Sequence, residues 1–125
     1  MKSGLGAHPR ITLAIACPLY GLSLVLIDVA PFFVGMYNDT LRISLSQAGF
    51  VQTIDQAGGV VGAVLGFILM PRAPWRLLIL GASLAATVAN ALTGMADSYL
   101  LLCSVRFASG LSVVLLTTVC ACIMA

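Results

Sequence analysis

Apolar residues run through this chain in four long stretches separated by short polar breaks, and that pattern sets the fold class. The 24 residues from Ile11 to Val34 hold one charge, Asp28, and the 24 from Gln47 to Met70 hold only Asp55. The first span is expected over residues 11–37, bent at Pro18 and Pro31, since each proline removes a helix hydrogen-bond donor. Asn38-Asp39-Thr40-Leu41-Arg42 reads as a short polar turn, and Ser44-Leu45-Ser46-Gln47 offers a serine cap to a second span over 47–70. Pro71-Arg72-Ala73-Pro74-Trp75-Arg76 ends that helix. A third span is expected over 77–95, with Asn90 as its one strongly polar side chain. Asp97 and Ser98 mark a turn, and a fourth span covers 99–123. Each stretch approaches or exceeds the roughly 20 residues that cross hydrocarbon. The strict alternation of shorter barrel strands is missing. The expected fold is all-α: a polytopic transmembrane helix bundle over residues 11–125, preceded by a cytoplasmic segment, residues 1–10.

Composition agrees with lipid as the main solvent. Apolar residues make up 61% of the chain and charged residues 8%, against about 25% charged in soluble domains. Water would aggregate such a surface, so membrane lipid is the expected neighbour. The formal charge of +2 comes from a few loop residues and gives no case for a nucleic-acid partner. Cys17, Cys103, Cys120 and Cys122 all fall in apolar runs, where thiols act as small buried hydrophobes. Cys120-Ala-Cys122 lacks both the redox spacing and metal-ligand companions, so no metal or cofactor is expected. The apolar run after Lys2, His8 and Arg10 is longer than the roughly 7–15 residues of a cleaved signal, and it reads as a retained helix.

Loop charges give a direction. Lys2, Arg10, Arg72 and Arg76 fall on one side, against Arg42 on the other. The positive-inside rule then puts the amino terminus and the cytoplasmic loop of Arg72 and Arg76 in the cytoplasm. Trp75 and Tyr37 sit near span ends, where amphipathic aromatics belong. The expected location is multi-pass in a cell membrane, the plasma (inner) membrane of a bacterium. The last residues, Ile123-Met124-Ala125, carry no terminating charge, and the chain reads as cut off.

Two kinds of feature interrupt the apolar pattern. Gly58, Gly62 and Gly66 recur every four residues, flanked by Gly59 and Ala63, and the third span is small-faced at Gly81, Ala82, Ala85, Ala86 and Ala89. Small residues at this spacing let helix backbones approach closely, either as static packing or as a surface that shifts during a cycle. The second feature is charge. At 1.5 Å per residue, Asp55 lies roughly 12 Å into its span and Arg106 about 10 Å into the fourth. Asp28 reaches a similar depth, so all three fall in the outward half of the bundle. Opposite charges at one depth should pair, since pairing offsets part of the desolvation penalty. Arg106 serves one aspartate, and Asp28 or Asp55 is the candidate for taking up and releasing a proton, with Arg106 pairing with it in one conformation. Gln52 and Gln56, four residues apart on one helical face beside Asp55, are candidates for a substrate cavity.

These residues resemble the amino-terminal third of a major facilitator superfamily transporter. Asp28-Val29-Ala30-Pro31 is similar to the aspartate-proline pattern in the family's first helix, and the Gly58, Gly62, Gly66 series resembles its glycine-rich second helix. Arg106-Phe107-Ala108-Ser109-Gly110 resembles its fourth-helix pattern of an arginine followed four residues later by glycine. The resemblance implies a twelve-helix fold of which these are four helices, Arg106 in the coupling machinery, and Gly110 as a packing position. In the loop after the second helix, Met70 stands where the family has aspartate and Ala73 where it has a later glycine. Arg72 and Arg76 keep only the basic character.

The function expected is therefore secondary active transport of a small-molecule substrate, coupled to protons, carried out together with the remaining helices of a larger transporter. The alternatives are a small four-helix dimeric multidrug exporter and a non-transporting membrane assembly subunit. An exporter of that kind uses a glutamate in its first helix, and this chain has no glutamate in any span. Enzymatic activity is not expected, because no nucleophile-base pair or metal cluster stands out and the lone His8 precedes the spans.

Overall fold

The computed structural model describes the backbone of residues 9–28 and 43–124, with side chains over 14–25 and 43–124. Four helices make up these segments: α1 (Pro9–Asp28), α2 (Leu45–Leu69), α3 (Trp75–Thr93) and α4 (Tyr99–Met124). The last three are long and apolar enough to cross a membrane, which makes this a multi-pass membrane protein. At 1.5 Å per residue, the 25, 19 and 26 residues of α2, α3 and α4 extend about 37, 28 and 39 Å, against about 30 Å of hydrocarbon. α1 contributes a shorter described apolar segment, Ala14–Val25, and carries Pro18 within its helix. The rest of the expected first span, with Pro31, Tyr37 and the 38–42 turn, lies outside the described residues, as do Lys2 and His8 and the side chains of Arg10 and Asp28.

The ends of α2, α3 and α4 follow local chemistry and lie within two residues of the expected boundaries. The Ser44 side chain accepts from the Gln47 backbone N–H at 3.2 Å, while the Ser44 N–H donates to the Gln47 side chain at 3.0 Å. This capping box starts α2 at Leu45, two residues before the expected start. At the other end Pro71 cannot continue the ladder, and the Arg72 and Ala73 N–H groups fold back onto the Leu69 carbonyl, each at 2.9 Å. Pro74 sits in extended geometry ahead of Trp75, so α3 begins earlier than residue 77. It ends at Thr93, ahead of the expected 95. The Ser98 carbonyl and hydroxyl accept from Leu102 and Leu101, at 2.9 and 3.3 Å, and open α4.

The bundle is organised around α4, which packs against each of the other three helices, while those three scarcely touch one another among the described residues. Half of α4 is buried, from Leu102 through Ile123. Ser23 of α1 meets Thr117, and Cys17 meets Met124 near the far end, so α1 runs antiparallel to α4. Gly58, Gly62 and Gly66 face Phe107, Leu111 and Thr118 in the same order, so α2 runs parallel to α4. Ile79 and Ala82 join Leu115, Leu116, Val119 and Cys120 in one apolar cluster. Ala48, Val51, Ala96, Leu102 and Cys103 form a second at the opposite end. Outward-facing Val60, Phe67, Leu77, Leu80 and Leu84 present the apolar surface that lipid requires.

Two packing expectations change. On α3 the contact face is Ile79, Ala82, Ala86, Ala89 and Thr93, a three-four alternation, whereas Gly81 and Ala85 are exposed and a side chain at Gly81 would meet nothing within 4 Å. Gly81 and Ala85 instead line an open cleft of about 250 Å³ beside Leu111 and Ser112 of α4. Cys103 and Cys120 are buried as expected, but Cys122 is half-buried and Cys17 exposed, the latter in contact with Met124 at the end of α4.

Candidate functional site

The contact between α2 and α4 decides where the charged side chains go. A side chain at Gly58 would overlap the Phe107 carbonyl, one at Gly62 the Leu111 carbonyl, and one at Gly110 the Asp55 carbonyl. Backbone therefore lies on backbone along this seam, which is what small residues at four-residue spacing allow. Gly59 and Gly66 meet side chains instead, Val114 and Thr118. With the two backbones this close, residues on either side of the seam share one level of the bundle. Asp55 and Arg106 are such a pair.

Arg106 Nη2 lies 3.2 Å from Asp55 Oδ1, and the side chains are only 4% and 13% exposed. The contact is an ion pair by distance without the alignment of a hydrogen bond, and Asp55 Oδ1 is buried with no hydrogen-bond donor among the described residues. Asp55, one of the two aspartates expected at this depth, is brought to Arg106. The side chain of Asp28, the other transport candidate, lies outside the described residues.

The pair borders a chamber of about 20 Å³ lined by Asp55, Gln56, Asn90, Arg106, Ser109, Gly110, Val113 and Val114. That volume holds one water, which needs two to four polar partners. The lining includes a carboxylate, a guanidinium, two amides and a hydroxyl. Gln56 reaches this chamber, whereas Gln52 is half-buried on α2 and does not line it. Arg72 and Arg76 are both exposed in and beside the loop after α2, and the Arg76 guanidinium lies 5.2 Å from the centre of the Trp75 ring.

Asn90 was visible in the sequence as the one strongly polar side chain of its span, yet nothing there tied it to Asp55. Its Nδ2 donates to the Ala86 carbonyl at 2.8 Å, one turn back along α3. It lines both the chamber and a larger cleft of about 280 Å³ between α1 and α3, floored by α4. The cleft is walled by Leu19, Leu22, Ser23, Ser83, Ala86, Thr87, Asn90, Val113 and Leu116. Between α1 and α4 the Thr117 hydroxyl lies 2.9 Å from Ser23 Oγ and 2.8 Å from the Val113 carbonyl, and its single proton serves one of them at a time.

No protein-family model, curated protein or solved structure matches this chain.

Proposed function

We propose that these helices belong to a secondary active transporter of the major facilitator type, in which Asp55 is the carboxylate that exchanges a proton and Arg106 its paired cation. The observation that carries this reading is the geometry of the pair. A buried ion pair that only holds a fold together gains most from aligned hydrogen bonds on every lone pair, since desolvation otherwise exceeds the attraction. Asp55 Oδ1 meets Arg106 deep in the bundle with no hydrogen-bond donor among the described residues, beside a polar chamber. An ionisable pair at membrane depth facing polar space is the arrangement expected of a coupling site.

In this reading the amino terminus and the 71–76 loop face the cytoplasm, the protein works as part of a larger bundle, and its cargo is a small solute. Proton uptake at Asp55 weakens its hold on Arg106 and so changes the balance between two arrangements of the helices. Coupling requires that these arrangements expose the solute site to opposite faces.

The test is infrared spectroscopy of the full-length protein in lipid during pH titration. The expected result is a carboxylic-acid band that grows on acidification and is missing from Asp55→Asn. Asp55→Asn should also lose accumulation of solute driven by a pH gradient while keeping downhill exchange. A carboxyl band that stays unchanged across the physiological pH range would assign the pair to fold maintenance, as in an assembly subunit.

A further inference from the structure

We propose that Asn90 is a positioning residue for proton exchange, holding one water against Asp55, and that the cleft between α1 and α3 is the route by which this proton arrives. The inference rests on the reading of Asp55 as an exchangeable carboxylate and adds the path. Three observations carry it. Asn90 and Val113 are shared between the two cavities, so the chamber and the cleft meet at these side chains. Val113 is apolar, which leaves the Asn90 amide as the polar link.

The second observation is the face on which the link lies. Ser83, Thr87 and Asn90 follow one another at intervals of four and three along α3, so they form one stripe, and all three line the cleft. Thr87 spends its hydroxyl proton on the Ser83 carbonyl at 2.8 Å, but the Ser83 hydroxyl is buried with no hydrogen-bond partner among the described residues. A polar stripe with a free hydroxyl is costly against hydrocarbon and favourable along a hydrated path.

The third is the inventory around the carboxylate. The bond from Asn90 Nδ2 to Ala86 leaves the amide oxygen and one N–H to orient a water. Among the described residues that line the chamber, Arg106 on α4 is the other charged group facing Asp55, α3 contributes Asn90, and α1 contributes none. In the exchange step the bound water gives one proton to Asp55 Oδ1 as it receives another from a hydronium in the cleft, which is left as neutral water. Atoms and charge balance, and Asn90 itself never ionises.

The experiment is hydrogen-deuterium exchange of the Asp55 carboxyl, followed by time-resolved infrared spectroscopy on the full-length protein in lipid nanodiscs. It is run at a pH where the band assigned through Asp55→Asn is present. Asn90→Leu fills the same volume without polar atoms and should slow deuteration by about tenfold or more, equivalent to about 1.4 kcal/mol of barrier. Asn90→Ser, which leaves room for water and a hydroxyl, should restore much of the rate. Thr87→Phe leaves the chamber untouched, blocks the cleft, and should slow exchange as well. Wild-type rates in both Asn90→Leu and Thr87→Phe would overturn the route while leaving Asp55 as the titrating group. A protein with no titrating Asp55 band would overturn the proposed function and this inference together.

Discussion

Gly110 lies directly against the backbone carbonyl of Asp55, one turn of α4 beyond Arg106. The missing side chain at residue 110 is what lets the guanidinium reach the carboxylate, since any Cβ there would push α2 away at the level of the pair. Gly110→Ala should therefore lower stability by about 1–3 kcal/mol, the usual cost of overpacking. Gly81→Ala makes the matching control. With open space around it and a helix interior to favour alanine, it should gain up to about 1 kcal/mol. Equilibrium unfolding in mixed detergent micelles checks both, and equal effects would remove the seam from the explanation.

The glycine stripe is not uniform, and its members should differ on substitution. Gly62 abuts the backbone of Leu111, which cannot move without moving α4, whereas Gly66 abuts the Thr118 side chain. Gly62→Ala should cost about 1–3 kcal/mol, and Gly66→Ala less, because rotation moves the Thr118 methyl and leaves only a tight contact at its Cβ. Apparent melting temperatures of the two variants measure the difference.

For the ion pair, single and double replacements should part company. Arg106→Met leaves a buried carboxylate facing no cation, and should cost about 3–5 kcal/mol while Asp55 stays charged. Adding Asp55→Leu removes the stranded group and should recover most of that loss. A double variant as stable as wild type yet unable to use a pH gradient would separate the pair's function from its contribution to stability. Unfolding titrations combined with proteoliposome transport provide both readouts.

Between α1 and α4 the contact of Ser23 with Thr117 should contribute little. The Thr117 proton has the Val113 carbonyl as an equal alternative at 2.8 Å. A double-mutant cycle of Ser23→Ala with Thr117→Val should give a coupling below about 1 kcal/mol, near the average for hydrogen bonds between membrane helices. A coupling of several kcal/mol would mean that this hydroxyl pair anchors α1.

Most of the helical layout could be read directly from the chain. Four apolar runs, the Ser44 and Gln47 capping pair, and the breaks at Pro71 and Pro74 are local signals. They act within a few residues of where they appear. The ion pair was legible only by depth, and depth treats Asp28 and Asp55 alike. What brings Asp55 to Arg106 is the parallel contact of α2 with α4, two helices that are not neighbours in sequence, and this follows from which helix sits at the centre. Asn90 was hidden for the same reason. Gly81 and Ala85 show the converse: smallness is visible in the sequence, but the side of the helix it serves is not. The alternation Ile79, Ala82, Ala86, Ala89, Thr93 carried that information as a face, once a partner existed to define it.

The central place of α4 has a consequence for how the protein is made. A chain enters the membrane from its amino terminus, so α1, α2 and α3 are inserted before the helix that each of them packs against has been synthesised. Until residues 99–124 leave the ribosome, the glycines of α2 face lipid or a chaperone, and Asp55 has no Arg106 to meet. Thr117 and Ser23 are 94 residues apart in sequence, so the closing contacts span most of the chain. Assembly thus turns on one step: arrival of the fourth helix converts three loosely held spans into a bundle, and a ribosome stalled before Tyr99 would leave a quality-control protease three unpartnered helices to recognise.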